Sequence, residues 1–148
     1  IFIRHAYAPG SGDPNNFNLN DCLTQRNLSE TGRIQAKNIG KFFKHYEIDT
    51  SNVLSSEWCR CMETAKLAFD KFEKKNFLNS FYSAKFQKNR IEQIADLKTY
   101  VKNFKSDKNL IFVTHYVVIF EILNYAPTSG EIVISDMEFN KIGSIEIN

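Results

Sequence analysis

At 148 residues, 43% hydrophobic and 24% charged, the chain has the size and composition of one globular domain able to bury its own core. A net charge of +2, with no block of Lys and Arg interleaved with aromatics, excludes a nucleic-acid surface. No apolar run reaches the roughly 18 residues that span a bilayer; the longest, 110–123, is broken by His115 and Glu121.

The first stretch, Ile1-Phe2-Ile3-Arg4-His5, is an apolar run ending in an adjacent Arg and His. It reads as a buried strand whose tip presents a guanidinium and an imidazole, a pairing suited to an anion. The chain starts without Met and inside this run, so upstream residues, any signal peptide among them, are expected to be missing. Residues 9–27 are dense in turn formers and lack periodicity, which predicts a long loop. Leaving the C-terminal end of a strand, such a loop is placed to line a site.

Ser29 caps a predicted helix whose apolar positions Ala36, Ile39, Phe42, Phe43 and Tyr46 recur at helical spacing, with Glu30 in its first turn. His45 at its end reads as a surface residue complementing the dipole. Val53-Leu54-Ser55-Ser56 predicts a short strand leading into a second helix, with Met62, Ala65, Ala68, Phe69 and Phe72 as its stripe. Arg60 falls in the first turn of that helix, where a cation opposes the dipole at a cost of about 0.3–1 kcal/mol unless an anion shares the position. An anion at this helix start is therefore expected.

Residues 73–88 carry no clear period. A third helix follows, with Ile91, Ile94, Leu97, Val101 and Phe104 facing inward and Lys98, Lys102 and Lys105 on a solvated face. Residues 110–114 read as a fully buried parallel strand ending at His115, followed by an apolar helix over 117–123. Residues 131–136 and 142–147 alternate as two closing strands around Asn140-Lys141. The order βαβα…β implies an α/β fold, a three-layer αβα sandwich on a mainly parallel sheet with an antiparallel edge. Strand ends along one edge of that sheet would bring Arg4, His5, Arg60 and His115 to one pocket the size of a phosphoryl group.

Three cysteines are present; Cys59 and Cys61 on one helix point to different sides, so a disulfide would join Cys22 to one or the other. A zinc site lacks a second ligand pair, and no metal or cofactor is expected.

The chain resembles the histidine phosphatase superfamily, in its phosphoglycerate-mutase-like branch of small histidine phosphatases. Ile3-Arg4-His5-Ala6 matches the family's Arg-His-Gly signature. Leu28-Ser29-Glu30-Thr31-Gly32 with Gln35-Ala36 matches its first helix, Ser55-Ser56 with Arg60 and Glu63-Thr64-Ala65 the second, and Val113-Thr114-His115 its last strand end. The resemblance implies a phosphomonoesterase acting on a small phosphorylated substrate. His5 attacks phosphorus to form a phosphohistidine, and Arg4, Arg60 and a cationic His115 hold the equatorial oxygens and supply the charge of a metal. A phosphomutase, or a phosphate-binding module without turnover, is the alternative. Ala6 and Tyr116 replace the family's usual Gly after each His, and Ala8 and Ser11 stand where many members have Thr and Asn.

The Glu that many relatives use as general acid has no counterpart, because Leu78-Asn79-Ser80 occupies its region. Glu131 is the first candidate for that role, with Asp13 and Asp21 as alternatives; Glu63 reads as a structural hydrogen-bond partner and Glu57 as a dipole-complementing surface residue. Arg60 between two cysteines and Ser129-Gly130-Glu131 resemble a bacterial subgroup, similar to lipopolysaccharide-core heptose phosphatases, that carries secretory signals. That resemblance implies a periplasmic address.

Overall fold

The computed structural model describes residues 1–148. Four segments form parallel strands: β1 (Phe2–Arg4), β2 (Thr50–Ser55), the short exposed β3 (Glu73–Lys74) and β4 (Asn109–Thr114). The sheet is completed by β5 (Ile132–Ser135) and β6 (Lys141–Ile145), antiparallel to their neighbours, in the order β3-β2-β4-β1-β5-β6. Strand β4, flanked by β1 and β2, is buried from Leu110 to Thr114, as a continuous apolar run at the centre of a covered sheet requires.

The strand period of two sorts its residues onto two cores. Phe2, Leu54 and Phe112 face α3 (Arg90–Asn103) and α4 (Tyr116–Leu123), packing with Leu97, Val101, Val118 and Ile119. Ile3, Ile111 and Val113 face α1 (Glu30–His45) and α2 (Cys59–Phe69), packing with Ile39, Phe43, Cys61 and Ala65. The result is the expected three-layer αβα sandwich with an antiparallel edge.

Helix α1 starts where its cap predicts: the Ser29 side chain accepts from Gly32 N at 3.1 Å, a bond worth about 1 kcal/mol. Gly32 is required there, since a Cβ would lie 2.0 Å from Tyr7 O. This contact packs the start of α1 directly on the backbone that leaves β1, and Ser29 N donates to Tyr7 O at 3.2 Å.

Some boundaries differ from expectation. Ile91 is 78% exposed, because α3 starts only at Arg90 and its first turn faces solvent; Gln93 turns inward instead, donating to Asn79 O at 2.8 Å. Phe72 lies beyond α2, which ends where Asp70 adopts φ 64, although Phe72 still packs on the same core. The aperiodic stretch 73–88 holds β3 and two short 3-10 turns, Asn76–Leu78 and Ala84–Asn89, anchored by buried Phe77, Leu78 and Phe81.

Candidate active site

Register builds the site. Arg4 pairs with Thr114 across β1 and β4, and His5 N donates to Thr114 O at 2.9 Å, which sets His5 beside His115. On the other side Ser56 N donates to Val113 O at 3.0 Å, so the turn into α2 opens at the same edge. The two imidazoles meet edge to face with centroids 5.5 Å apart. Arg4, His5, Arg60 and His115, the four residues expected to converge, all line one cleft of about 490 Å³.

His5 is buried, and its Nδ1 lies 2.8 Å from Ala6 O, a carbonyl that can only accept. The proton is thereby assigned to Nδ1, and Nε2 keeps its lone pair, with Arg60 Nε–H donating to it at 3.3 Å. Burial, then the charge of Arg60, hold His5 well below the usual histidine range, so the imidazole is neutral.

His115 sits at the N-cap of α4. Its Nε2 is 2.9 Å from Ser56 Oγ, which donates to Asn79 Oδ1 at 3.1 Å and therefore accepts from the imidazole. Asn79 is fixed in turn by Glu57, whose backbone N donates to Asn79 Oδ1 at 2.9 Å and whose Oε2 accepts from Asn79 Nδ2 at 2.6 Å. Burial and Arg60 also keep His115 well below its usual range, so its ring is neutral in the free protein. A bound phosphate dianion would favour its protonated form.

Arg4 donates through Nη1 to Pro127 O at 2.8 Å and lies over the Tyr116 ring at 5.3 Å. Its Nε is buried with no partner. A buried guanidinium donor without a partner is uncommon, and Arg4 lines the cleft, where an anionic oxygen would pair with the guanidinium.

The anion expected at the start of α2 is part of the chain itself. Asp13, from the long loop, accepts from Arg60 Nη1 at 2.7 Å and Nη2 at 3.3 Å, from Arg26 N at 3.1 Å and from Trp58 Nε1 at 3.0 Å. Burial alone would raise its carboxyl, but the Arg60 hydrogen bond and charge outweigh this and hold it below the usual range. Asp13 engages Arg60 end-on through both Nη atoms, leaving the Nε edge turned toward His5. Arg26 lines the same cleft, bracing the loop through Nε to Gly12 O at 2.8 Å and through Nη1 to Ala8 O.

Asp13 is the one carboxylate lining the cleft. Glu131, the first candidate for general acid, does not line it: Gly130, at φ 73, turns the chain so that the Glu131 side chain points inward. There Oε1 accepts from Tyr125 Oη at 2.5 Å and Oε2 from Thr128 N at 2.7 Å. Burial raises its carboxyl, yet the bonds from Tyr125 and Thr128 bring it below the usual range, so it stays ionised and committed. Asp21 caps the turn Cys22–Thr24 through a bond from Leu23 N at 3.0 Å, and Glu63 pairs with Arg33 at 2.7 Å. Arg26 and Asn79, which lie in segments without periodicity, and Trp58, in the turn between β2 and α2, were not anticipated.

Cys22 and Cys59 form a disulfide, leaving Cys61 buried and free, with burial pushing its thiol up to about 12. The bridge ties the loop carrying Asp13 to the first residue of α2, beside Arg60. Closing 37 residues, it stabilises the fold by about 3–4 kcal/mol in the chain-entropy account. Reduction is expected to lower the urea midpoint accordingly, with free thiols in denaturant rising from one to three; an unchanged thiol count would rule out the bridge.

The two neutral histidines also predict acid sensitivity. Their folded values lie below the unfolded value of about 6.5, so below that pH the unfolded chain binds more protons than the folded one. The stability they contribute is complete above about pH 6.5 and is lost as pH falls through the folded values, by up to about 2–3 kcal/mol per pH unit while both differ. Urea midpoints at pH 7.5 and 5.5 measure this, and equal midpoints would contradict the assignment.

The fold and the cleft define an α/β protein with a cationic pocket at the C-terminal edge of its parallel strands. The sequence model of the histidine phosphatase superfamily (branch 1) matches residues 1–109, and the chain belongs to that family. No curated protein matches it in sequence. Among solved structures it is similar to Rv3214 from Mycobacterium tuberculosis (17% identity, 99% of this chain and 93% of that one, TM-score 0.63). It is likewise similar to the protein histidine phosphatase SixA complexed with tungstate (16%, 99% and 92%, 0.57) and to a phosphoglycerate mutase from Thermus thermophilus (13%, 99% and 98%, 0.63). At these identities the likeness is one of fold.

Proposed function

We propose that the chain is a phosphomonoesterase that works through a phosphohistidine on His5 and needs no metal. The observation that carries this reading is the unprotonated Nε2 of His5, fixed by the Nδ1 bond to Ala6 O and directed into a cleft where Arg4 Nε has no partner. The nucleophile is already neutral, so no base is required to activate it. Its lone pair attacks phosphorus in line, the P–O bond to the leaving group breaks, and Arg4 and Arg60, whose Nε–H turns from His5 Nε2 to the incoming group, take up charge on the equatorial oxygens. His115, protonated as the dianion binds, donates a third contact while Ser56 and Asn79 hold its ring. Water then attacks the phosphohistidine, releasing inorganic phosphate and restoring His5.

Incubation with 4-nitrophenyl phosphate tests the reading. Phosphate release, with an acid-labile phosphoenzyme trapped on quenching, is the expected result. Binding of inorganic phosphate with no release from pH 4 to 8 would instead mark a phosphate-binding module, the role suggested by Asp13 already occupying one edge of Arg60.

A further inference from the structure

Beside the guanidiniums and imidazoles, the cleft lining carries several aromatic rings set among polar residues that include Ser11, Asn15, Ser83 and Lys85. Tyr82 and Tyr116 pair with ring centroids 6.1 Å apart, and Phe86 meets Phe17 at 5.7 Å and Trp58 at 5.5 Å, both edge to face. Tyr82 lines the cleft yet remains 50% exposed, so its ring has surface to cover. The volume of about 490 Å³ is far more than a phosphoryl group fills.

The second observation concerns protons. The leaving oxygen departs with the electron pair of the broken P–O bond and must either be protonated or bear the charge itself. Asp13, the one carboxylate in the cleft, has both oxygens engaged; the protonated His115 commits Nε2–H to Ser56 and its other N–H to an equatorial oxygen, and Lys85 holds its ammonium over the Phe86 ring at 5.4 Å. An alkoxide, whose conjugate acid lies near that of water at about 15.7, is a poor leaving group under these conditions. A phenolate, at about 10, departs unaided.

We propose that the substrates are aryl phosphomonoesters, whose ring rests on the Tyr82–Tyr116 side of the cleft and leaves as a phenolate; the proposal builds on the phosphatase reading above. The N–P bond forms at His5 Nε2 as the P–O(aryl) bond breaks. The phenolate takes its proton from water after it leaves the cleft, and a second water hydrolyses the phosphohistidine.

The test compares kcat/KM, which reports steps up to P–O cleavage, for 4-nitrophenyl, phenyl and ethyl phosphate. Without a general acid, phenyl phosphate is expected to exceed ethyl phosphate by about 10²-fold or more, with 4-nitrophenyl phosphate higher still. In Tyr82→Ala, a half-exposed position whose replacement spares the core, the phenyl-to-ethyl ratio falls about three- to tenfold through KM. Phosphate release from all three esters at similar kcat/KM overturns the proposal and leaves the phosphatase reading intact. No release from any ester overturns both. A preference that persists unchanged in Tyr82→Ala and in Tyr116→Leu also overturns it, since intrinsic ester reactivity would then account for the preference.

Discussion

His5→Ala is expected to lower kcat for 4-nitrophenyl phosphate by at least about 10⁴-fold, the scale at which removing a covalent nucleophile leaves only binding and electrostatic stabilisation. No other group in the cleft can replace it. The Nε2 of His115 is occupied by Ser56, and Cys61, 3.5 Å from that nitrogen, has a buried thiol pushed up to about 12 and is not a thiolate. Phosphate binding should survive, because Arg4, Arg60 and His115 remain. The check is threefold: rate, acid-labile label from a radiolabelled ester, and a binding isotherm for inorganic phosphate. Loss of rate and label with binding retained is the expected pattern; label persisting in the variant would place the covalent step on another residue. Truncation of a buried ring also costs stability, so the unfolding midpoint should confirm that the variant is folded under assay conditions.

What could be read in the sequence was whatever the sheet dictates. Continuous apolar runs that stop at a polar residue marked β1 and β4, and the parallel register that follows puts residues at equal distance past those runs side by side. That logic alone brings His5 to His115. Helix α1 was legible through Ser29 and the spacing of Ala36, Ile39 and Phe43, which are its buried positions.

Long-range contacts decide the rest, and local pattern does not encode them. Asp13 sits in a loop with no periodicity, and its place beside Arg60 depends on the Cys22–Cys59 bridge, on Gln25 Oε1 accepting from Cys59 N at 2.9 Å, and on Arg26 N. The cost of a cation at the start of α2 did signal an anion, but not that the chain would supply it. Glu131, at the start of a closing strand just after the last helix, was the first candidate for general acid; only the turn at Gly130 and the approach of Tyr125 reveal that it is buried and paired. Asn79 gave no signal, because its function is to hold Ser56, itself a partner of His115.

Arg60 and Asp13 form the pair whose disruption tells most about how the pocket is tuned. Arg60→Ala is expected to lower kcat/KM by about 10²–10³-fold, since it removes a donor aimed at the transferring group. It also destabilises the fold by about 3 kcal/mol, because Asp13 loses its cation; this is the low end for a broken buried pair, as Trp58 Nε1 and Arg26 N still bond the carboxylate. Arg60→Lys keeps the charge, yet a single ammonium cannot engage a carboxylate end-on and a phosphoryl group edge-on together, so it should recover stability better than rate. Asp13→Asn separates the two functions of the carboxylate. Removing its negative charge from beside the phosphate site should tighten inorganic phosphate binding, while the freed guanidinium no longer holds its Nε edge toward His5 and kcat falls. Tighter product inhibition together with slower turnover is a result that a carboxylate serving only to stabilise the loop would not give. Unchanged kcat and inhibition constant in Asp13→Asn would reduce the Arg60–Asp13 contact to a structural pair.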